Sequence, residues 1–138
     1  MELTKNLNKI LAAASFIYAF IIYILTMAPT TSFWDCGEFI ATSITLGVPH
    51  PPGTPFYLLL GNFFSQLPTF EDFGARVNLI SPLFSALSVM FLYLIIVQLI
   101  EEWRGKVQNW PDRLITYGSA LIGAFTFAVT DSHWFNAV

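Results

Sequence analysis

The chain has 138 residues, 55% of them hydrophobic and 11% charged, with a net charge of −3 and a mean hydropathy of +0.62. So little charge cannot solvate a globular surface, and the length allows one domain at most. The acidic balance and the lack of a basic patch argue against nucleic acid as a partner, and one cysteine, Cys36, cannot close an internal disulfide.

Read in order, Met1 to Lys9 is a short polar start carrying Lys5 and Lys9. Leu11 to Met27 then runs without a charge, long enough with its flanks to cross a hydrocarbon layer of ~30 Å. A cleaved signal peptide is the competing reading. Its best cut, at Thr26-Met27-Ala28, would place Pro29 just after the scissile bond, so an uncleaved anchor is favoured. Phe33 to Leu46 is expected to form a short helix capped by Ser32. The Pro49-His50-Pro51-Pro52 run cannot be helical, because prolines remove donors and restrict the residues before them. Phe56 to Leu67 is apolar but too short to span, which suits an interfacial or re-entrant helix ending at Pro68. Thr69 to Arg76 reads as a polar surface turn.

Leu79 to Ile100 is the clearest span. Glu101 to Arg113 reads as a loop with Trp103 and Trp110 at the interface. Leu114 to Val129 is a third span, whose Gly118, Gly123 and Ala124 predict close helix packing. The fold class expected is therefore all-α membrane: a polytopic bundle of three transmembrane helices, about 10–27, 79–100 and 114–129, with a long outer loop, 28–78, carrying short interfacial helices. Lys5 and Lys9 precede the first span, and Arg104, Lys106 and Arg113 follow the second, whereas loop 28–78 holds Arg76 as its one basic residue. The positive-inside rule then puts the N-terminus and the 101–113 loop in the cytoplasm, and loop 28–78 and the tail outside. Asp35, Glu38, His50, Asp131 and His133 fall together on that outer side.

In Trp34-Asp35-Cys36-Gly37-Glu38-Phe39 the two acids are three apart and would share a helix face. Aromatic neighbours at a membrane surface should desolvate such a carboxylate and raise its pKa, which suits a general base. The plainer reading is an acidic helix start favoured by the dipole, beside aromatic interface anchors. His50 is either aimed by its prolines at a ligand or is a solvated loop residue. Arg76 is either a phosphate partner or a snorkelling anchor. A metal site from His50, His133, Asp35 and Asp131 can be drawn, but no pair has a recognised ligand spacing. Cys36 reads as a small packing residue.

Residues Pro29 to Ile40, then Leu46-Gly47-Val48-Pro49-His50-Pro51-Pro52-Gly53-Thr54-Pro55, Arg76-Val77-Asn78-Leu79 and Trp134-Phe135-Asn136-Ala137-Val138, resemble a family of polytopic membrane proteins of Bacteroidetes-type bacteria. That family is similar to a eukaryotic transmembrane protein O-mannosyltransferase and, more distantly, to the GT-C glycosyltransferases. The resemblance implies an enzyme of the bacterial inner membrane that moves a sugar, with inversion, from a polyprenyl-phosphate carrier to a hydroxyl of an acceptor protein. It implies Asp35 as catalytic base and Glu38 as second candidate. Trp34, His50, Arg76, Asp131, His133 and Asn136 would bind substrate, and Phe56–Leu67 would dock the polyprenyl tail. No cofactor beyond the lipid-linked sugar is implied, and metal dependence is left open. Family members continue for many more spans, so residues 1–138 are expected to be the N-terminal membrane segment of a larger transferase domain, inactive alone. The alternatives are a non-catalytic membrane subunit that binds a partner or lipid through its outer loop, and a channel or transporter fragment. The last is disfavoured because no span carries a charge in its middle.

Overall fold

The computed structural model describes residues 2–51 and 53–138, with side chains from Asn6 onward. Pro52 of the proline run and the charge of Lys5 lie outside the described residues. The described chain is helical throughout: α1 (Glu2–Thr26), α2 (Cys36–Thr45), α3 (Pro55–Ser65), α4 (Phe73–Asn78), α5 (Ile80–Arg104), α6 (Trp110–Ala128) and α7 (Asp131–Ala137). Asn6–Thr26 and the nearly continuous Phe73–Arg104 are long and apolar enough to cross a membrane. The third span qualifies only as α6 taken with α7, across a bend of 65°.

Small residues at helical spacing bring the long helices together. Ala12, Ser15, Ala19 and Tyr23 form one buried stripe on α1, and Ala86, Val89, Tyr93 and Val97 form its counterpart on α5. On α6 the stripe is Thr116, Ala120, Ala124 and Ala128. Gly118, expected in that face, meets open space instead, while Gly123 lies against Ile96. Ile10, Ile17 and Ile21 on α1, and Phe84, Phe91, Ile95 and Leu99 on α5, form exposed stripes on the opposite faces. Apolar stripes of that kind suit lipid or further helices.

Two tyrosines fix which ends meet. The Tyr93 hydroxyl pairs with Asn8 Oδ1 at 3.0 Å, near the start of α1 and well along α5. At the other end the buried Tyr23 hydroxyl donates to the carbonyl of Ala128 at 2.8 Å, satisfying an orphan group where α6 stops and the chain turns into α7. The end of α1, segments 27–51 and 53–79, and α7 therefore share one end of the bundle.

Several boundaries differ from the sequence reading. The first short helix begins at Cys36, not Phe33, because Trp34 sits in the left-handed region (φ 62°) and cannot propagate a helix; Asp35, not Ser32, is the N-cap. Thr69–Arg76 is not all turn: Asp72 accepts the Ala75 N–H at 3.0 Å and starts α4. The 101–113 loop shrinks to 105–109, since α5 continues to Arg104 and Asn109 caps α6 through the Asp112 N–H at 3.0 Å. The tail after Thr130 is α7.

The α2–α3 hairpin depends on one close approach. A Cβ on Gly61 would lie 2.3 Å from Ser43 Oγ and 2.7 Å from Ser43 Cβ. Asn62 clasps the same place by donating to the carbonyls of Ser43 and Ile44 at 3.0 and 3.3 Å. Gly61→Ala should therefore lower stability by about 1–3 kcal/mol through overpacking. Adding Ser43→Gly should recover most of that loss in thermal unfolding of the detergent-solubilised protein.

Candidate functional site

The shared end carries two neighbouring features, a charged trio and a neutral cleft. The trio is Asp35, Glu38 and His50. After α2 the chain turns back at Leu46, which is in the left-handed region (φ 51°), so that one Glu38 oxygen accepts the His50 backbone N–H at 2.8 Å and the other meets His50 Nδ1 at 2.6 Å. His50 Nε2 then faces Asp35 Oδ2 at 3.9 Å. The Asp35 side chain is 61% exposed and makes no cap bond of its own to α2. The Phe39 ring lies against His50, with centroids 6.1 Å apart.

Hydrogen bonds and charge decide the titration here, in place of the desolvation expected from sequence. The Glu38 pKa is lowered from 4.5, first by the His50 ring hydrogen bond and then by the backbone one. This reverses the raised pKa expected of a carboxylate in this loop, because Glu38 accepts two bonds and stays in contact with water. His50 is raised from 6.5, first by the hydrogen bond to Glu38 and then by its charge. The depressed Glu38 contributes stability above 4.5 that is lost as pH falls through its folded value. The raised His50 contributes stability below 6.5 that is lost as pH rises through its folded value. The turn should be held best between those limits. By NMR, His50 should titrate above 6.5, and Glu38→Gln should bring it back toward the ordinary value.

One ligand atom from each of Asp35, Glu38 and His50 lies within 4.8 Å of the others, so these are the described residues that could hold a cation together. The four-residue outline from sequence is not assembled: Asp131 and His133 belong to no such group. Asp131 is exposed at the start of α7. The His133 ring packs on Phe127 (4.3 Å) and Tyr23 (5.9 Å), with a buried Nε2 that has no hydrogen-bond partner.

Arg76 faces inward to the fold. Its Nε and Nη1 donate to the carbonyls of Phe70 (2.6 Å) and Ser65 (3.1 Å), and the guanidinium covers the Phe73 ring at 4.6 Å. It closes the turn after α3 rather than reaching toward the trio.

The neighbouring cleft has a volume of about 450 Å³, within the range of small-molecule sites. Its aromatic walls are Phe33, Trp34, Phe39, Tyr57, Trp134 and Phe135. Thr26, Ser32, Asn78, Ser81 and Asn136 add polar groups, and among the described residues none of the lining side chains is charged. Trp34 is 89% exposed, Trp134 Nε1 donates to Thr26 Oγ1 at 3.1 Å, and Asn136 Nδ2 donates to the Ser132 carbonyl at 2.7 Å.

Asn78, which carried no role in the sequence reading, ties this region together. Its Nδ2 donates to the carbonyls of Ala28 (3.0 Å) and Thr30 (2.7 Å), and its Oδ1 accepts from the Cys36 thiol at 3.6 Å. Cys36 is thus a tether as well as a packing residue. The signal was Asn78 itself, a polar residue in an apolar run just before the second span. Of the predicted residues, the structure groups Asp35, Glu38 and His50 at the trio, and Trp34 and Asn136 at the cleft. Arg76, Asp131 and His133 stand apart from both.

These features define a helical membrane protein with an acid–histidine loop and an uncharged aromatic cleft at one end of its bundle. Residues 35–138 match the family described as Protein O-mannosyl-transferase TMEM260 N-terminal domain, and the chain belongs to that family. It is 32% identical over 98 residues to Protein O-mannosyl-transferase tmem260 of Dictyostelium discoideum, covering 69% of this chain and 12% of that protein. It is 33% identical over 86 residues to Protein O-mannosyl-transferase TMEM260 of Mus musculus, covering 62% and 12%. The matched segment is thus about an eighth of the length of these relatives. No solved structure matches the chain.

Proposed function

We propose that this chain is the N-terminal membrane segment of a GT-C-like transferase domain. The domain moves a sugar, mannose by analogy with its relatives, from a polyprenyl-phosphate carrier to a protein Ser or Thr hydroxyl on the non-cytoplasmic face. Family membership supports the reaction class. The observation that carries the assignment of roles is Asp35, an exposed carboxylate flanked in sequence by two residues of the cleft wall, Trp34 and Cys36.

In the step proposed, the acceptor oxygen attacks the anomeric carbon and the carbon–oxygen bond to phosphate breaks. Polyprenyl phosphate leaves with the electron pair, and the acceptor proton passes to Asp35. Phosphate is a good leaving group, so one base suffices. Glu38 is the weaker candidate, because His50 already occupies both of its oxygens. His50, held by Glu38, would face the phosphate. Phe56, Leu59 and Phe63 form an exposed apolar face on α3 on which the polyprenyl tail would lie.

The test uses right-side-out membrane vesicles carrying the full-length protein, polyprenyl-phosphate mannose, and a Ser/Thr peptide added outside. Labelled peptide whose anomeric configuration is opposite to the donor's is expected. Retained configuration, or transfer only to peptide enclosed in the vesicles, would overturn the reading.

A further inference from the structure

We propose that Trp34 is the stacking platform for the pyranose ring of the transferred sugar, and that the uncharged cleft beside it is the sugar subsite. The inference rests on the transferase reading above and adds the place where the sugar sits.

Among the described residues two non-glycines have positive φ, Leu46 and Trp34. Leu46 is explained locally, because it caps α2 and its N–H is bonded to the Thr42 carbonyl. Trp34 closes no helix. A bulky side chain in the left-handed region is strained. In return for that strain the ring is not buried: it stays 89% exposed on the wall of the cleft. A strained backbone that presents a large aromatic face to a cavity is the geometry of a ligand platform.

The chemistry of the cleft selects that ligand. With no charged side chain among its described lining residues, it offers a phosphate no ion pair. A purely hydrocarbon tail would leave the hydroxyls of Ser32 and Ser81 facing nothing polar. A hexose satisfies both halves of the wall. Its C–H face carries slight positive charge and suits the negative face of an indole, and its hydroxyls pair with hydroxyl and amide groups of the lining. Asp35 lies between two lining residues in the chain, Trp34 and Cys36, so the proposed base is carried by the backbone that forms this wall of the cleft.

The probe is methyl α-D-mannopyranoside, followed by saturation-transfer NMR on the detergent-solubilised full-length protein. Binding to the unaltered protein is expected, weakened about tenfold by Trp34→Gly. Glycine accepts the left-handed φ freely, so the thermal midpoint of that variant should hold or rise. Trp103→Ala, removing an exposed indole at the far end of α5, should leave binding unchanged. A mannoside signal that survives Trp34→Gly, or a fall in its thermal midpoint, overturns the proposal. Because the readout is binding, it decides the subsite whether or not Asp35 proves to be the base. Absence of binding to the unaltered protein, with transfer intact, sinks the subsite alone.

Discussion

Asparagine in place of Asp35 is expected to lower sugar transfer by about 10²- to 10⁴-fold while leaving insertion and stability near those of the unaltered protein. Two observations separate these outcomes. The Asp35 side chain is 61% exposed and accepts no capping hydrogen bond from α2, and it faces His50 Nε2 at 3.9 Å. An exposed group so loosely held contributes little to the fold, within about 0.5 kcal/mol. An amide of the same shape cannot take up the acceptor proton, so the loss falls on chemistry. Glu38→Gln is the contrasting case, because it weakens two hydrogen bonds from His50 and should loosen the turn before it touches rate. The measurement is initial rate of transfer with thermal unfolding in parallel. Near-normal transfer by Asp35→Asn removes Asp35 as base. Loss of a bound partner with unchanged transfer supports the non-catalytic alternative.

The long helices were legible because apolar runs of membrane length have few other uses, and α1 and α4–α5 satisfy that criterion in the structure. Their ends were less so. Nothing in the residue types Phe33-Trp34 announces a left-handed tryptophan, and it is that one backbone angle that delays α2 to Cys36. The proximity of Asp35 and Glu38 followed from their spacing, but their pairing with His50, twelve residues from Glu38, depends on how the chain turns back after α2 at Leu46. That return also inverted the expected shift of Glu38, since a hydrogen-bonded partner outweighs partial desolvation. Arg76 was ambiguous in sequence for a physical reason: a guanidinium on a long stem can meet a phosphate or snorkel to the interface, and here the carbonyls of Ser65 and Phe70 hold it instead.

Asn78→Ala is expected to reduce transfer by about 10- to 100-fold through displacement of the loop that carries Asp35. The side chain fastens that loop on both sides of the acid: ahead of it at the Ala28 and Thr30 carbonyls, behind it at the Cys36 thiol. Alanine removes all three bonds, at a cost of about 1–3 kcal/mol, because water can reach some of the released groups. Two further variants assign the effect. Asn78→Asp keeps an acceptor for the thiol but loses both donors and sets a carboxylate against two carbonyl oxygens, so it should be no better than alanine. Cys36→Ser keeps a donor toward Asn78 and should transfer at close to the normal rate. Hydrogen exchange over residues 28–36 supplies the structural readout, with faster exchange expected in Asn78→Ala and Asn78→Asp but not in Cys36→Ser. If Asn78→Asp were to transfer normally with unchanged exchange, the two carbonyl contacts would not be what holds Asp35 in place. The acid would then owe its position to α2 and the His50 turn alone.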